Sequence, residues 1–325
     1  MELSKAGFKG KFRISASKNV RYLFLIGLII VVSTFFTFIN PKFLSLVNIG
    51  ILLRSISVLF LLSMGMTFVI ITGGVDLSVG SNVAFAGAVG VLTLQATGNP
   101  VIAAIVTIAA GAAIGFINGY FVGKLDLSPF MITLATMALA RGLSLVLYKA
   151  DAISVTNEAF LWLGKTSVGP FPIVIVFDIL VFLFIKSLLN RHTFGRDVFA
   201  VGSNLKAAHL LGRNVNMVLI KVYVLTGVMA GISSIITIGR VSSGQPWAGL
   251  NLEFDAITAV VMGGTSMAGG EGSLVGTIIG VIFYGIIING LILTGANPYF
   301  QSVAKGLILL IVVVLDQVQK NRSAE

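Results

Sequence analysis

Residues 77–123 read LSVGSNVAFAGAVGVLTLQATGNPVIAAIVTIAAGAAIGFINGYFVG, and this stretch decides the fold. It contains no charged residue and is about twice as long as the roughly 20 helical residues that cross a bilayer core. Residues 97–100 (TGNP) are a turn signal near its middle, so the stretch predicts two membrane-spanning helices joined by a short turn. Residues 294–298 (TGANP) divide a second long apolar run in the same way.

The composition of the whole chain agrees with this prediction. Of 325 residues, 56% are hydrophobic and 10% charged, and the mean hydropathy is +1.02. A soluble domain carries about a quarter charged residues, so water-soluble folds are excluded. The chain has no cysteine and two isolated histidines, His192 and His209, which excludes disulfides and cysteine- or histidine-rich metal sites. We therefore predict no catalytic residue and no metal ligand.

Apolar runs between charged residues predict an all-α, polytopic transmembrane bundle of about ten spans. Their edges are defined only to within several residues. The predicted spans lie near 21–39, 50–72, 78–96, 100–121, 128–147, 170–189, 218–239, 252–268, 273–293 and 298–315.

The basic residues are distributed unevenly between the predicted spans. If residues 1–20 lie in the cytoplasm, most of the 22 lysines and arginines fall on the cytoplasmic side. Cytoplasmic loops are enriched in these residues, so the pattern predicts cytoplasmic termini and explains the net charge of +10 without nucleic acid. We divide the chain into a basic N-terminal segment (1–20), a membrane domain (21–316) and a cytoplasmic tail (317–325).

Residues 72–80 (TGGVDLSVG) interrupt the helical pattern between the second and third spans. Gly73 and Gly74 permit backbone conformations that other residues rarely adopt, and Asp76 or Ser78 could cap the amides that begin the third span. The segment fits either a capped turn or a broken helix whose free backbone groups line a pathway.

Residues 262–273 (MGGTSMAGGEGS) are a second glycine-rich interruption, which includes Gly263 and Gly264. A phosphate-binding P-loop is excluded, because the lysine and Ser/Thr of that motif are missing. Two interpretations remain: close helix packing through small residues, or a flexible hinge for alternating access.

The longest polar connection, residues 190–216, is basic and mildly amphipathic. It fits a solvated loop. It also fits a docking element, in which short helices present apolar and cationic side chains to a soluble partner in the cytoplasm.

Several separated motifs resemble those of the ribose, xylose and galactose type of ABC sugar permease. They are residues 70–80 (IITGGVDLSVG), Gln245-Pro246, residues 255–266 (DAITAVVMGGTS) and residues 289–291 (NGL). The resemblance extends from about Asn40 to Asp316 and implies the fold of a type II-like ABC importer permease in a bacterial inner membrane.

This resemblance also implies partners. Such permeases act as two membrane subunits, identical or related, with two ATPase subunits on the cytoplasmic face and a sugar-binding protein outside. ATP and Mg would be used by the partner ATPase, while this chain binds no cofactor and hydrolyses nothing. The coupling segment 190–216 would seat in the ATPase through Arg196, Gly202, Asn204, Ala207, Ala208 and Gly212.

A sugar needs hydrogen-bond partners, so polar residues at membrane depth are candidates for its pathway. Each of them could instead satisfy neighbouring backbone groups. The candidates are Asp76, Ser78, Asn82, Gln245, Asp255 and Asn289. On the outer face, Lys42, Arg54, Lys149, Lys165 and Arg240 could dock the binding protein or extend along the membrane interface.

Two charged residues within the predicted spans, Arg141 and Asp178, could pair with each other. An ion-coupled secondary transporter of a small polar solute is the main alternative function, but it would usually contain more buried coupling charges. A membrane-embedded enzyme lacks support, because no nucleophile, metal set or acid–base pair is evident. Neither the sugar nor the choice between homodimer and heterodimer is specified by the sequence.

Overall fold

The computed structural model describes the backbone of residues 18–324 and the side chains of residues 20–318. Most of the predicted N-terminal segment 1–20 therefore lies outside the described residues. The described range forms thirteen α-helices, a short 3-10 helix and two pairs of two-residue strands. In chain order these are α1 (Lys18–Ile39), the 3-10 helix (Pro41–Leu44), α2 (Leu46–Ile71), α3 (Val79–Thr97), α4 (Pro100–Lys124), α5 (Pro129–Tyr148), β1 (Ile153–Ser154), α6 (Glu158–Lys165), β2 (Ser167–Val168), β3 (Phe171–Pro172), α7 (Val174–Asn190), α8 (Thr193–Ser203), α9 (Leu205–Leu210), α10 (Val215–Val241), β4 (Ser243–Gly244), α11 (Leu252–Met262), α12 (Leu274–Leu293) and α13 (Pro298–Ala324).

Eight of these helices are long and apolar enough to cross a membrane: α1 to α5, α10, α12 and α13. The predicted all-α, polytopic bundle is confirmed. Two predicted spans are shorter helices, because 170–189 corresponds to the 17 residues of α7 and 252–268 to the 11 residues of α11. At 1.5 Å per residue α11 covers only about 16 Å. The prediction that residues 252–268 form a full-length membrane span is therefore wrong. The helix ends early because Gly264 takes φ of 101°, outside the helical range.

Both predicted turns are present. Gly98 ends α3 in the left-handed conformation with φ of 65°, and Asn99 accepts hydrogen bonds from the first amides of α4. Pro100 opens α4, where its missing N–H costs nothing. Gly295, with φ of 74°, and Pro298 make the corresponding turn between α12 and α13.

Helix α10 lies at the centre of the bundle and packs against α2 and α4. Its contact with α4 is made backbone to backbone through glycines: a Cβ atom on Gly231 would lie 2.8 Å from Ile108 Cα, and one on Gly111 would lie 2.9 Å from Gly231 N. Such close approach is how small residues hold membrane helices together without a hydrophobic driving force. The α4–α10 contact therefore forms the rigid centre of the fold.

The two ends of the bundle differ. At one end, α8 meets the C-terminus of α2, and we call this the α8–α9 end. At the other, α6 and the strands β2 and β3 lie beside the C-terminus of α10, where Gly164 packs on Gly239, and we call this the α6 end. The helix α10 connects the two ends.

We predict that Gly231→Ala destabilises the bundle, since its Cβ would clash with the backbone of α4. Overpacking of this kind costs about 1–3 kcal/mol. The measurement is thermal unfolding of the purified protein in detergent, and the control is Gly27→Ala on α1, where a Cβ atom has nothing within 4 Å. Equal melting temperatures for the two variants would contradict the close α4–α10 packing.

Candidate transport site

Residues 72–78 form an irregular segment that lies inside the bundle between α2 and α3. Asp76 and Ser78 are each 1% exposed. The hydroxyls of Tyr223 and Thr133 donate to the carbonyl oxygen of Val75 at 3.4 Å and 3.3 Å, so the freed backbone finds partners on α10 and α5. The break in the helical pattern is thus deeply buried.

Asp76 is the centre of a buried polar network. Its Oδ1 accepts from the Ser78 amide (2.9 Å) and the Ser78 hydroxyl (2.6 Å). Asn118 of α4 donates to Ser78 Oγ (2.8 Å), and Thr136 of α5 donates to Asn118 Oδ1 (2.7 Å). Asp76 thus binds the amide of Ser78, the first residue of the predicted third span (78–96), whereas Ser78 itself makes no side-chain capping bond to α3.

The N-terminus of α3 faces a carboxylate that the sequence did not single out. Glu253 is 5% exposed, and its Oε2 lies against Gly80, at the place a Cβ atom would occupy. This oxygen has no hydrogen-bond partner among the described residues. A negative charge at a helix N-terminus is favoured by the helix dipole, so Glu253 links α11 electrostatically to α3.

Asp255 lies two residues after Glu253 on α11 and is already paired. Its Oδ2 is 2.7 Å from Lys305 Nζ on α13, and its Oδ1 accepts a short hydrogen bond from the Tyr284 hydroxyl of α12. The Asp255 side chain is 6% exposed and the Lys305 side chain 30% exposed, so the carboxylate is desolvated while the lysine is only partly buried. One carboxylate thus joins α11, α12 and α13.

Two more of the predicted pathway residues bond within the protein. Asn82 Nδ2 donates to the carbonyl oxygen of Gly111 (3.0 Å). Asn289 exchanges side-chain hydrogen bonds with Asn48 of α2 (2.8 and 3.1 Å). Both are buried, as are Asp76, Ser78 and Asp255, while Gln245 is exposed.

Residues 245–251, between β4 and α11, have no regular backbone structure. Arg141 binds this segment by donating to the carbonyl oxygens of Pro246 (2.8 Å) and Ala248 (2.9 Å). Arg141 is the thirteenth of the 20 residues of α5, which places it about 18 Å along the helix at 1.5 Å per residue. The segment therefore lies at membrane depth, yet Trp247 in it is 56% exposed.

The predicted pairing of Arg141 with Asp178 is wrong. Carbonyl oxygens occupy Arg141, and Asp178 lies instead in an apolar groove of about 250 Å³ between α2, α7 and α12. Backbone carbonyl groups need hydrogen-bond partners, and in an irregular segment they lack those of a helix or sheet. Arg141 supplies such partners here, which the charge pattern of the sequence does not indicate.

The predicted coupling segment 190–216 contains two short helices, α8 and α9. Asn204 caps α9 by accepting from the Ala207 amide (2.9 Å), Ala208 is buried, and Gly212 has φ of 73° in the turn that follows. Arg196 is exposed on α8. Beyond the predicted set, Leu210 and Leu211 are 87% and 77% exposed, so neither apolar side chain is covered by the described residues.

Three segments meet backbone to backbone at the α8–α9 end, and we call this contact the glycine junction. The amide of Gly270, in the glycine-rich loop, donates to the carbonyl oxygen of Ile71 at the end of α2 (2.8 Å). A Cβ atom on Gly202 of α8 would lie 2.7 Å from Gly270 N and 2.8 Å from Ile71 C. There is no space for a side chain, so α8 cannot shift toward either segment without moving it.

The glycine-rich loop is also held from outside this junction. Arg21 of α1 donates to the carbonyl oxygen of Val261 (3.3 Å) and packs on Gly264. The Met267 amide donates to Asp316 of α13 (3.3 Å). Gly263 packs against the first turn of α12. The loop combines close packing with three glycines of positive φ, Gly264, Gly269 and Gly270.

We predict that Asp255 and Lys305 are energetically coupled. Lys305→Met alone should lower the free energy of unfolding by about 3 kcal/mol, because it leaves the buried Asp255 carboxylate without its partner. Asp255→Asn alone should cost less, because the Lys305 side chain that it leaves unpaired is 30% exposed. The double variant should lose much less than the sum. Thermal unfolding in detergent measures this cycle, with exposed Lys42→Met as control. Additive losses would contradict the pairing.

Within residues 18–324, no group of three His, Cys, Asp or Glu side chains is placed to hold a metal ion. The site is therefore built from hydrogen-bonding side chains, one ion pair and irregular backbone.

The family model for the permease component of branched-chain amino acid transport systems matches residues 48–313. The ribose import permease RbsC of Bacillus subtilis is 41% identical over 298 residues, which cover 91% of each chain. RbsC of Escherichia coli K12 is 39% identical over 90% of this chain and 91% of its own. The galactose/methyl galactoside import permease MglC of E. coli K12 is 34% identical over 88% and 90%.

No solved structure gives a significant match. The family model covers most of the chain, and its boundaries include every residue of the buried network, the glycine junction and the Asp255–Lys305 pair. The protein is thus a membrane-embedded transport subunit without ATPase activity of its own, and it belongs to the permease family that includes the bacterial ribose and galactose import permeases.

Proposed function

We propose that this chain is the membrane-spanning subunit of an importer that carries a monosaccharide, ribose or a related pentose or hexose, into the cytoplasm. A separate ATPase would supply the energy by using ATP and Mg, and an extracytoplasmic binding protein would deliver the sugar. The observation that carries the proposal is the similarity to ribose import permeases over nine-tenths of both chains.

The structure supports a pathway along the exposed side of residues 245–251. Irregular backbone at membrane depth persists only where it faces protein or water, because lipid cannot satisfy its polar groups. Gln245 and Trp247 are exposed on this segment, so they must face either a second permease copy or a water-filled pathway. We propose that they face both. The sugar would pass through a water-filled pathway between two permease copies and would form hydrogen bonds with Gln245.

The other candidates are placed behind this surface. Asp76, Ser78, Asn82, Asp255 and Asn289 are buried and bonded within one subunit, so a sugar would reach them only after a conformational change. We propose that they hold the walls of the pathway in one state and become available to sugar hydroxyls in another. Gly73, Gly74, Gly263 and Gly264 are the proposed hinges.

We propose that the α8–α9 end faces the cytoplasm. Residues 1–20, the coupling segment 190–216 and the tail 317–325 would then all be cytoplasmic, in agreement with their basic character. Leu210 and Leu211 would bury their exposed side chains in the ATPase, next to Arg196 and Asn204. Movement of the ATPase would pass through α8 to the glycine junction, and from there to the broken helix and the loop before α12.

We predict ATP-dependent uptake of labelled ribose into proteoliposomes that contain this permease with the ATPase and binding protein encoded beside it. Uptake should require both partners and internal ATP, and galactose and arabinose should be tested in parallel. Uptake by the permease alone, driven by a proton or sodium gradient, would contradict the proposal and favour a secondary transporter.

We predict different losses from two variants of the coupling segment. The double variant Leu210→Ser/Leu211→Ser should lose the ATPase during copurification, because it removes the apolar contacts. Gly202→Ala should keep the ATPase but lose most uptake per ATP hydrolysed, since its Cβ would displace Ile71 or Gly270. The control is Lys124→Ala, at an exposed position at the end of α4 and outside the coupling segment. Normal uptake by Gly202→Ala would exclude the glycine junction from coupling.

A further inference from the structure

A cationic cavity lies at the α6 end, between α2, α10 and the strand pair β2–β3. Its volume is about 440 Å³, and its walls include Arg54, Ser55 and Arg240 together with Val47, Ile51 and Pro170. The cavity is remote from the buried network, the glycine junction and the coupling segment. Its two arginines are among the residues that the sequence offers for docking the binding protein, which is the competing interpretation.

The two arginines of this cavity are bonded only to neutral groups. Arg54 donates to the carbonyl oxygen of Lys165 (3.3 Å) and to the Ser167 hydroxyl, and Arg240 donates to Ser55 Oγ (3.4 Å). Among the described residues neither forms an ion pair, and the Nε of Arg54 is buried without a hydrogen-bond partner. Glu158 is paired with Lys165 (2.7 Å).

Two guanidinium groups at one cavity repel each other. The surroundings screen this repulsion only in part, because Arg54 is half-buried while Arg240 is exposed. An anion between them would remove this cost and use the free donors. Guanidinium groups present several N–H donors in a planar fork that matches the oxygens of a phosphate group. The charge arrangement therefore favours an anionic ligand with more than one oxygen.

The walls of the cavity specify what the rest of the ligand must be. Val47 and Ile51 are 70% and 57% exposed, so the cationic floor continues into a hydrocarbon surface on α2. Arg240 is the next-to-last residue of the membrane-spanning helix α10, which places the arginines at the boundary between hydrocarbon and headgroups. A phosphate bound here would have apolar chains running along α2.

We propose that this cavity binds the headgroup phosphate of an anionic phospholipid in the leaflet at the α6 end. Arg54 and Arg240 hold the phosphate, and Val47 and Ile51 contact an acyl chain. A bound phosphate bridges α2 and α10. It does so at the α6 end, beyond the glycine contacts between α4 and α10. Acidic side chains of a partner protein are the competing occupant, and the exposed hydrocarbon surface of Val47 and Ile51 beside the arginines is the observation that favours lipid.

Native mass spectrometry of the full-length protein purified in detergent tests this proposal without sugar, ATP or partners. The probe is phosphatidylglycerol, compared with diacylglycerol of the same chain length. Wild type should retain phosphatidylglycerol and not diacylglycerol, and Arg54→Gln/Arg240→Gln should bind it about ten-fold or more weakly, since charge-assisted hydrogen bonds are lost. Lys42→Gln/Lys149→Gln removes the same charge from exposed positions and should bind as wild type.

The charge-conserving variant Arg54→Lys/Arg240→Lys keeps the test independent of folding, and it should bind with intermediate affinity because lysine lacks the planar fork. Equal retention of phosphatidylglycerol by the Gln variant and wild type would overturn the proposal. So would equal binding of diacylglycerol, or binding of inorganic phosphate that phosphatidylglycerol does not displace. Loss of binding-protein association with unchanged lipid retention would overturn it in favour of a docking site.

Discussion

The need to satisfy every backbone polar group within the membrane governs this structure. Two segments, 72–78 and 245–251, leave regular helix inside the bundle, and lipid offers their N–H and C=O groups nothing. Tyr223 and Thr133 bind the first segment, and Arg141 binds the second. The polar side chains of the neighbouring helices can therefore be understood first as partners for this backbone, and the positions of α3 and α11 follow from it.

The same constraint explains why buried charges do not by themselves indicate ion-coupled transport. Asp255 has Lys305 and Tyr284, Arg141 has two carbonyl oxygens, and Glu253 faces the N-terminus of α3. Each charge joins helices that a long apolar contact does not join, because α11 is short and α13 is largely exposed. Their number exceeds what the sequence suggested. Asp255 and Arg141 have structural partners, whereas Glu253 Oε2 and Asp178 Oδ1 are buried without a hydrogen-bond partner among the described residues.

The sequence predicted the parts of the fold that depend on local pattern. The turns at 97–100 and 294–298 follow from glycine and proline geometry, and the long helices follow from apolar length. It could not predict that α11 is half-length, because residues 252–268 are apolar enough for a span while the left-handed Gly264 is a tertiary feature. Asn118, Thr136 and Lys305 were also missed, since each is a single polar residue on an apolar helix and only the fold brings it to Asp76 or Asp255.

The glycine junction shows how two glycine-rich motifs far apart in sequence can act on one function. From the sequence, residues 72–80 fit a capped turn or a broken helix, and residues 262–273 fit close packing or a hinge. At the junction the alternatives are not exclusive: Gly202 and Gly270 pack so closely on Ile71 that no movement of α8 is absorbed locally, while Gly73 and Gly269 have the left-handed backbone that lets the adjoining chain turn. Tight contact at one residue and freedom at the next is what a coupling element requires, because force must be transmitted before the chain can bend.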